Sequence, residues 1–201
     1  MEVSEFNQDQ HWMLAALAEA KTAQYRTRPN PAVGCMIVKN QQMIGRGATA
    51  PVGGSHAEVF ALAEAGEQAQ GATAYVTLEP CAHYGRTPPC AKGLVEAGIA
   101  RVVVACLDPN PLVAGKGIQI LQQAGIQVDV GVCEQQAIAQ NQGFLKAIAT
   151  GKPYVRLKIA ASLDGRTAMA SGESKWITGP QARQDVQHWR ALSGVVITGI
   201  E

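Results

Sequence analysis

Ala74-Tyr75-Val76-Thr77-Leu78-Glu79-Pro80-Cys81-Ala82-His83-Tyr84-Gly85-Arg86-Thr87-Pro88-Pro89-Cys90 changes character midway. Its first half is an apolar, β-branched run, and its second is a polar loop rich in Gly and Pro that leads into a helical pattern. Strand, loop and helix in succession is the unit of open α/β sheets. The alternation continues outward in both directions. Upstream, Trp12, Met13, Ala16, Leu17 and Ala20 recur at helical spacing and predict an amphipathic helix over 9–23. Apolar runs at 33–38 and, more weakly, 43–47 predict two strands, with Lys39-Asn40-Gln41-Gln42 as the hairpin turn between them. A helix from about 56, a strand at 73–78 and a helix from 88 follow, then a strand at 101–106 and a helix at 115–124. A strand at 126–132 and a helix at 134–149 complete the set. Strands alternating with helices imply a three-layer α/β/α fold with a mostly parallel central sheet. Gly115-Lys116-Gly117 is no dinucleotide fingerprint, because the third glycine is missing.

Strand ends and helix starts are where such sheets bind ligands, and the chemistry-bearing residues collect there. His56, Cys81 and Cys90 read as one zinc site: two thiolates and an imidazole hold the ion tetrahedrally and leave a fourth position open. His56-Ala57-Glu58 followed by Pro80-Cys81 opens the H-x-E, P-C signature of zinc nucleobase deaminases, in which the glutamate moves protons and is not a ligand. The competing reading of Ser55-His56-Ala57-Glu58 is a capping box, Ser55 capping the helix and Glu58 bonding back. It leaves the histidine and both cysteines unexplained. Thr87-Pro88-Pro89-Cys90 predicts an N-cap, a proline at the first helical position and a cysteine in the first turn, where the helix dipole favours a thiolate. Cys35, Cys106 and Cys133 read as small buried residues.

The general signature spaces its cysteines C-x-x-C, whereas Ala82 to Pro89 separate these two. The loop P-C-x-H-x-G-x-T-P-P-C resembles that of the bifunctional riboflavin-biosynthesis deaminase–reductase family. Arg28-Pro29-Asn30-Pro31-Ala32-Val33-Gly34-Cys35 and Asp108-Pro109-Asn110-Pro111 are similar to further segments of its deaminase half. The resemblance implies a cytidine-deaminase-like fold and a pyrimidinone substrate, 2,5-diamino-6-ribosylamino-pyrimidinone 5′-phosphate, with Glu58 as the catalytic proton carrier. It also implies that Asn30 bonds the pyrimidinone edge, that His83 lies beside the substrate, and that Arg86 meets its phosphate. Each has an ordinary alternative: a turn asparagine, a loop histidine, a solvated charge. Thr49 stands where family members often carry a histidine, which puts one substrate contact in doubt.

A boundary is expected at Thr150-Gly151-Lys152-Pro153, dividing a deaminase domain over 1–150 from a second domain over 151–201. The strand-like Tyr154–Ile159, then Ala161-Ser162-Leu163-Asp164-Gly165-Arg166-Thr167-Ala168 and Trp176-Ile177-Thr178, resemble the start of the family's reductase, a partial dihydrofolate-reductase-like α/β domain. The resemblance implies NADPH contacts at Ala160 and Trp176 and substrate contacts at Ser174 and Arg190. A core role for Trp176 is the alternative. A second strand-like run is Val195-Val196-Ile197-Thr198, and about fifty residues are too few for a complete reductase core, so this segment is expected to need support from other surfaces.

Composition narrows the classes. Lys and Arg number 17 against 16 Asp and Glu, net charge is +1, and the basic residues are scattered. That predicts no nucleic-acid partner. No apolar stretch reaches membrane-span length, so no membrane partner is expected, and the first residues carry no signal-peptide pattern. Five cysteines in 201 residues do not make a disulfide framework, and thiolate ligands suit the cytoplasm. A homo-oligomer is expected from the family. The rival classes are a deaminase of another nucleobase and a non-catalytic, zinc-stabilised interaction domain. A fourth protein ligand, with His83 the nearest candidate, would favour the latter.

Overall fold

The computed structural model describes residues 3–84, 88–111 and 114–199. Arg86, Thr87, Leu112, Val113 and both chain ends lie outside them. The chain divides into two compact units, 1–154 and 155–201.

The first unit is built on a five-stranded sheet in the order β2-β1-β3-β4-β5. Its strands are β1 (Gly34–Lys39), β2 (Gln42–Ala48), β3 (Thr73–Val76), β4 (Arg101–Val104) and β5 (Gln127–Val130). β1 runs antiparallel to both β2 and β3, while β3, β4 and β5 are mutually parallel. Four strands therefore point one way and β1 alone opposes them, a mixed sheet. The hairpin that reverses β1 turns on Asn40 and Gln41 at φ 50° and 61°. Positive φ at both loop residues matches the right-handed twist of the flanking strands.

Residues alternate across the sheet and feed two cores. Cys35, Ile37, Ala74, Val76, Val102 and Val104 share one buried cluster with Ala57, Ala61, Ala91, Leu94 and Leu121. Those partners lie on α2 (Ala57–Ala65), α3 (Cys90–Glu96) and α4 (Lys116–Gln123). Met36, Val38, Tyr75 and Val103 point the other way, against Met13, Ala16 and Leu17 of α1 (Val3–Ala23) and Ala137 of α5 (Glu134–Gln140). The result is three layers. α2 lies so close to β2 that a Cβ on Gly47 would stand 2.2 Å from the Ala57 carbonyl oxygen, an approach only glycine permits.

The strands expected at 73–78, 101–106 and 126–132 are shorter, and three helix boundaries differ from the sequence reading. α1 begins at Val3 and not near 9: the polar stretch Asn7-Gln8-Asp9-Gln10-His11 interrupts the apolar period ahead of Trp12. α3 begins at Cys90: Pro88 precedes a second proline, which disfavours helical backbone there, and the helix starts only after Pro89. The helix expected over 134–149 is two, α5 and α6 (Gln142–Thr150), broken at Asn141 with φ −111° and ψ 21°. Asn141 turns its amide to the peptide group of Ala32, 2.9 Å and 2.8 Å away, and leaves the helix to do so.

Among its described residues the second unit holds one helix, α7 (Pro180–Ala191), and none that is fully buried. The strand-like runs at 154–159 and 195–198 form no strand there, having no ladder partner among the described residues. Their apolar side chains are exposed, Leu157 at 82% and Ile197 at 90%.

Candidate functional site

β1, β3 and their neighbours place three chain segments at one end of the sheet. His56 is the N-cap of α2, in extended conformation, and Cys90 is the first residue of α3. Cys81 follows the turn after β3. His56 Nδ1 lies 3.2 Å from Cys90 Sγ and 3.6 Å from Cys81 Sγ, and all three potential ligand atoms fall within 4.8 Å of one another. A tetrahedral zinc with ordinary Zn–S and Zn–N bonds needs its sulfur and nitrogen ligands about 3.6 Å apart. The donor set and its spacing fit that ion. Among the described residues the group does not include His83, which is exposed in the loop. Three protein ligands leave the fourth position that a catalytic site requires.

The electrostatics follow from this crowding. Cys81 is held as a thiolate, its pKa lowered to about 4, first by the Cys90 thiol and then by His56 and the Cys90 backbone N–H at 3.3 Å. Cys90 is pushed up correspondingly, because Cys81 takes its hydrogen bond and burial disfavours a second thiolate. The His56 imidazole is raised chiefly by its bond to Cys81. The Cys90 thiol, His56 and one backbone N–H thus stabilise the Cys81 sulfur as an anion before any metal arrives.

Glu58 sits in the first turn of α2 and is 4% exposed. Burial raises its carboxyl, partly offset by its own backbone N–H and by the Cys90 thiol. The capping-box alternative fails here. α2 starts after His56 with no side-chain cap bond, and the Ser55 carbonyl accepts the Ala50 N–H. Glu58 faces the thiols, not Ser55.

The other expected residues are distributed as follows. Asn30 is exposed, in a turn closed by its N–H to the Thr27 carbonyl at 2.9 Å. Arg86 and Thr87 lie outside the described residues. Thr49 is buried, and its hydroxyl accepts the Val33 N–H at 3.0 Å; it is engaged by the backbone. Cys35 and Cys106 are buried, as expected of structural thiols, while Cys133 is half-buried at the N-cap of α5. In the second unit, Ser174 and Trp176 line an open cleft of about 650 Å³ that includes neither Ala160 nor Arg190. Trp176 is 71% exposed beneath the Arg183 guanidinium, so it is not a core residue.

Glu79 was not singled out by its sequence context, although a carboxylate at the end of an apolar strand is a signal. It is 4% exposed, and its two oxygens accept N–H bonds from Gly115, Gly117 and, more loosely, Asp108. It fastens the start of α4 beneath the Pro80–Cys81 turn. Gly117 packs there so tightly that a Cβ would lie 2.0 Å from the Pro80 carbonyl oxygen. Asp108 is buried nearby, accepts the Asn110 N–H at 2.9 Å, and has its pKa raised first by burial.

With this geometry in view, the comparisons with known proteins are specific. The cytidine and deoxycytidylate deaminase zinc-binding region matches residues 6–106, and the RibD C-terminal domain matches 153–201. The riboflavin biosynthesis protein RibD of Haemophilus influenzae is 59% identical over 96% of this chain and 52% of its own length. The structure of Acinetobacter baumannii RibD, form 1, superposes with a TM-score of 0.88 at 70% identity, covering 94% of this chain and 53% of that one. A Thermotoga maritima diaminohydroxyphosphoribosylaminopyrimidine deaminase/5-amino-6-(5-phosphoribosylamino)uracil reductase gives a TM-score of 0.87 at 38% identity, over 92% of this chain and 54% of that one. The chain spans about half the length of the curated relatives it matches. His56, Cys81 and Cys90 are its zinc-binding site.

Proposed function

The chain belongs to the cytidine and deoxycytidylate deaminase family, in the arrangement of the RibD proteins, and from that membership we propose its reaction. It deaminates 2,5-diamino-6-ribosylamino-pyrimidinone 5′-phosphate to the corresponding aminouracil, a step of riboflavin biosynthesis. The observation that carries this is the buried Glu58 beside a three-ligand zinc site with no fourth protein ligand among the described residues. A purely structural zinc site would close its coordination and would have no use for that carboxylate.

When bound, zinc supplies Lewis-acid activation of water near neutral pH. The chain's own residues do the rest. Glu58, its carboxyl pKa raised first by burial, takes a proton from the attacking water and delivers protons to the ring nitrogen and the departing amine. The ring carbon gains oxygen and loses nitrogen, so ammonia leaves and a carbonyl remains. Asn30 orients the pyrimidinone edge, His83 lies along the substrate, and Arg86 meets the phosphate as a cation suited to it. The divide between deaminase and reductase segments falls near 150. Reduction of the ribosyl chain with NADPH, through Ala160, Trp176, Ser174 and Arg190, belongs to the longer proteins that this chain half covers.

Thiolate ligands support cytoplasmic residence, and self-association is favoured by apolar side chains exposed at Leu157, Ile159, Val195 and Ile197. The deciding experiment is ammonia release from the pyrimidinone phosphate by zinc-loaded protein. Glu58→Ala is expected to keep its zinc and lose turnover by roughly 10²–10⁴-fold, the usual worth of a general acid–base group. Turnover within about twofold of the unsubstituted protein would remove Glu58 from the mechanism.

A further inference from the structure

We propose that Thr49, Thr77 and Asn141 form a polar clamp that positions the Asn30 loop for the substrate, an assignment that rests on the deaminase function above. Residues 31–33 precede β1 and belong to no strand, yet Ala32 is buried and Pro31 and Val33 are half-buried. Buried peptide groups outside a ladder need partners from elsewhere. Asn141 and Thr49 supply them for Ala32 and Val33, and Thr77 does the same for Gly34, the first residue of β1.

Asn141, at the break between α5 and α6, accepts the Ala32 N–H at 2.9 Å through Oδ1 and donates to the Ala32 carbonyl at 2.8 Å through Nδ2. The opposite amide orientation would set donor against donor and acceptor against acceptor, so the network fixes it. Thr49, just after β2, accepts the Val33 N–H at 3.0 Å, and its own N–H donates to the Val33 carbonyl at 3.0 Å. Thr77, just after β3, accepts the Gly34 N–H at 3.0 Å and donates its backbone N–H to the Gly34 carbonyl at 3.1 Å. The three side chains are buried, at 8%, 6% and 1% exposure for Asn141, Thr49 and Thr77.

Asn30 has little freedom of its own. Pro29 and Pro31 flank it, and the residue before a proline is confined to extended backbone. Its N–H is tied to Thr27 on one side. Where its side chain stands is therefore decided by what holds Ala32 and Val33 on the other. Thr49 serves substrate binding from behind: its hydroxyl positions the backbone that carries Asn30. Thr49 and Asn141 are positioning residues and touch no reacting atom.

The test separates positioning from mere stability by the split between KM and kcat. In the full chain loaded with zinc, Thr49→Val and Asn141→Asp are each expected to raise KM for the pyrimidinone phosphate about tenfold, the worth of about one buried hydrogen bond. Zinc content stays at the unsubstituted level and kcat falls less than KM rises. Thr49→Ser, which keeps the hydroxyl, restores KM. A KM within about twofold of the unsubstituted value in both folded, zinc-loaded variants overturns the clamp, as does a loss confined to kcat. If the unsubstituted protein releases no ammonia, the functional reading fails, and the clamp is then judged by amide exchange at Ala32 and Val33. Exchange at least about tenfold faster at Ala32 in Asn141→Leu and at Val33 in Thr49→Val, each of which removes the acceptor of that amide, upholds it, and equal exchange overturns it.

Discussion

At the scale of single residues, the two cysteine ligands are not equivalent. Cys81 receives the Cys90 backbone N–H at 3.3 Å and carries the depressed thiol. Cys90 is the more buried and gives up its proton last. A hydroxyl in place of either sulfur cannot ionise near neutral pH and makes a poor zinc ligand. Cys81→Ser and Cys90→Ser should both purify with much less than one zinc per chain, measured by atomic emission, while Glu58→Ala should retain it. A full metal complement in either serine variant would show that the triad does not hold the ion. The ligands were legible in the sequence because their residue types have few other uses in a Gly- and Pro-rich loop. Asn141 and Glu79 were not. An asparagine inside a helical pattern and a glutamate ending a strand both read as surface residues until the fold brings backbone donors from far along the chain onto them.

At the scale of elements, one buried charge cluster ties four of them together. Asp9 of α1 is 2% exposed and accepts Tyr75 Oη of β3 at 2.8 Å and the Arg101 guanidinium of β4 at 2.8 Å and 2.7 Å. Arg101 also reaches Asp129 of β5 at 2.7 Å. Each pairing satisfies a charge that the apolar layers around it would otherwise make costly. Arg101→Met leaves Asp9 buried with only the tyrosine for a partner. The expected loss is about 3 kcal/mol of unfolding free energy, read from the urea midpoint. Arg101→Met combined with Asp9→Asn should recover part of it, since the stranded charge is gone. A single variant as stable as the parent would mean the cluster is decoration. The strands and the hairpin were legible from apolar runs and from the Lys39–Gln42 turn, whereas the order β2-β1-β3-β4-β5 was not. The helix boundaries were less so: α1 extends through a polar start, and α6 is separated from α5 by a side-chain bond that no local pattern announces.

At the scale of the whole molecule, the two units differ in what stabilises them. The first has two apolar clusters packed on opposite faces of a sheet. The second has one helix, no fully buried residue among those described, and exposed apolar runs at 154–159 and 195–198. Local opening costs little where few apolar contacts and few ladder bonds must break. Native-state amide exchange on the 201-residue chain should therefore resolve two regimes. Amides of β1, β3 and β4 exchange only by opening the whole first unit, whereas those of 155–199 exchange close to the unprotected rate outside α7. Adding zinc should slow the first group further, because an ion that binds only the folded form stabilises it by RT ln(1 + [Zn]/Kd), about 2.7 kcal/mol at a hundred times Kd. It should leave the second group unchanged. Zinc-dependent protection within 155–199 would mean that the metal centre supports both units, and their separate treatment as a packed domain and a dependent segment would fail.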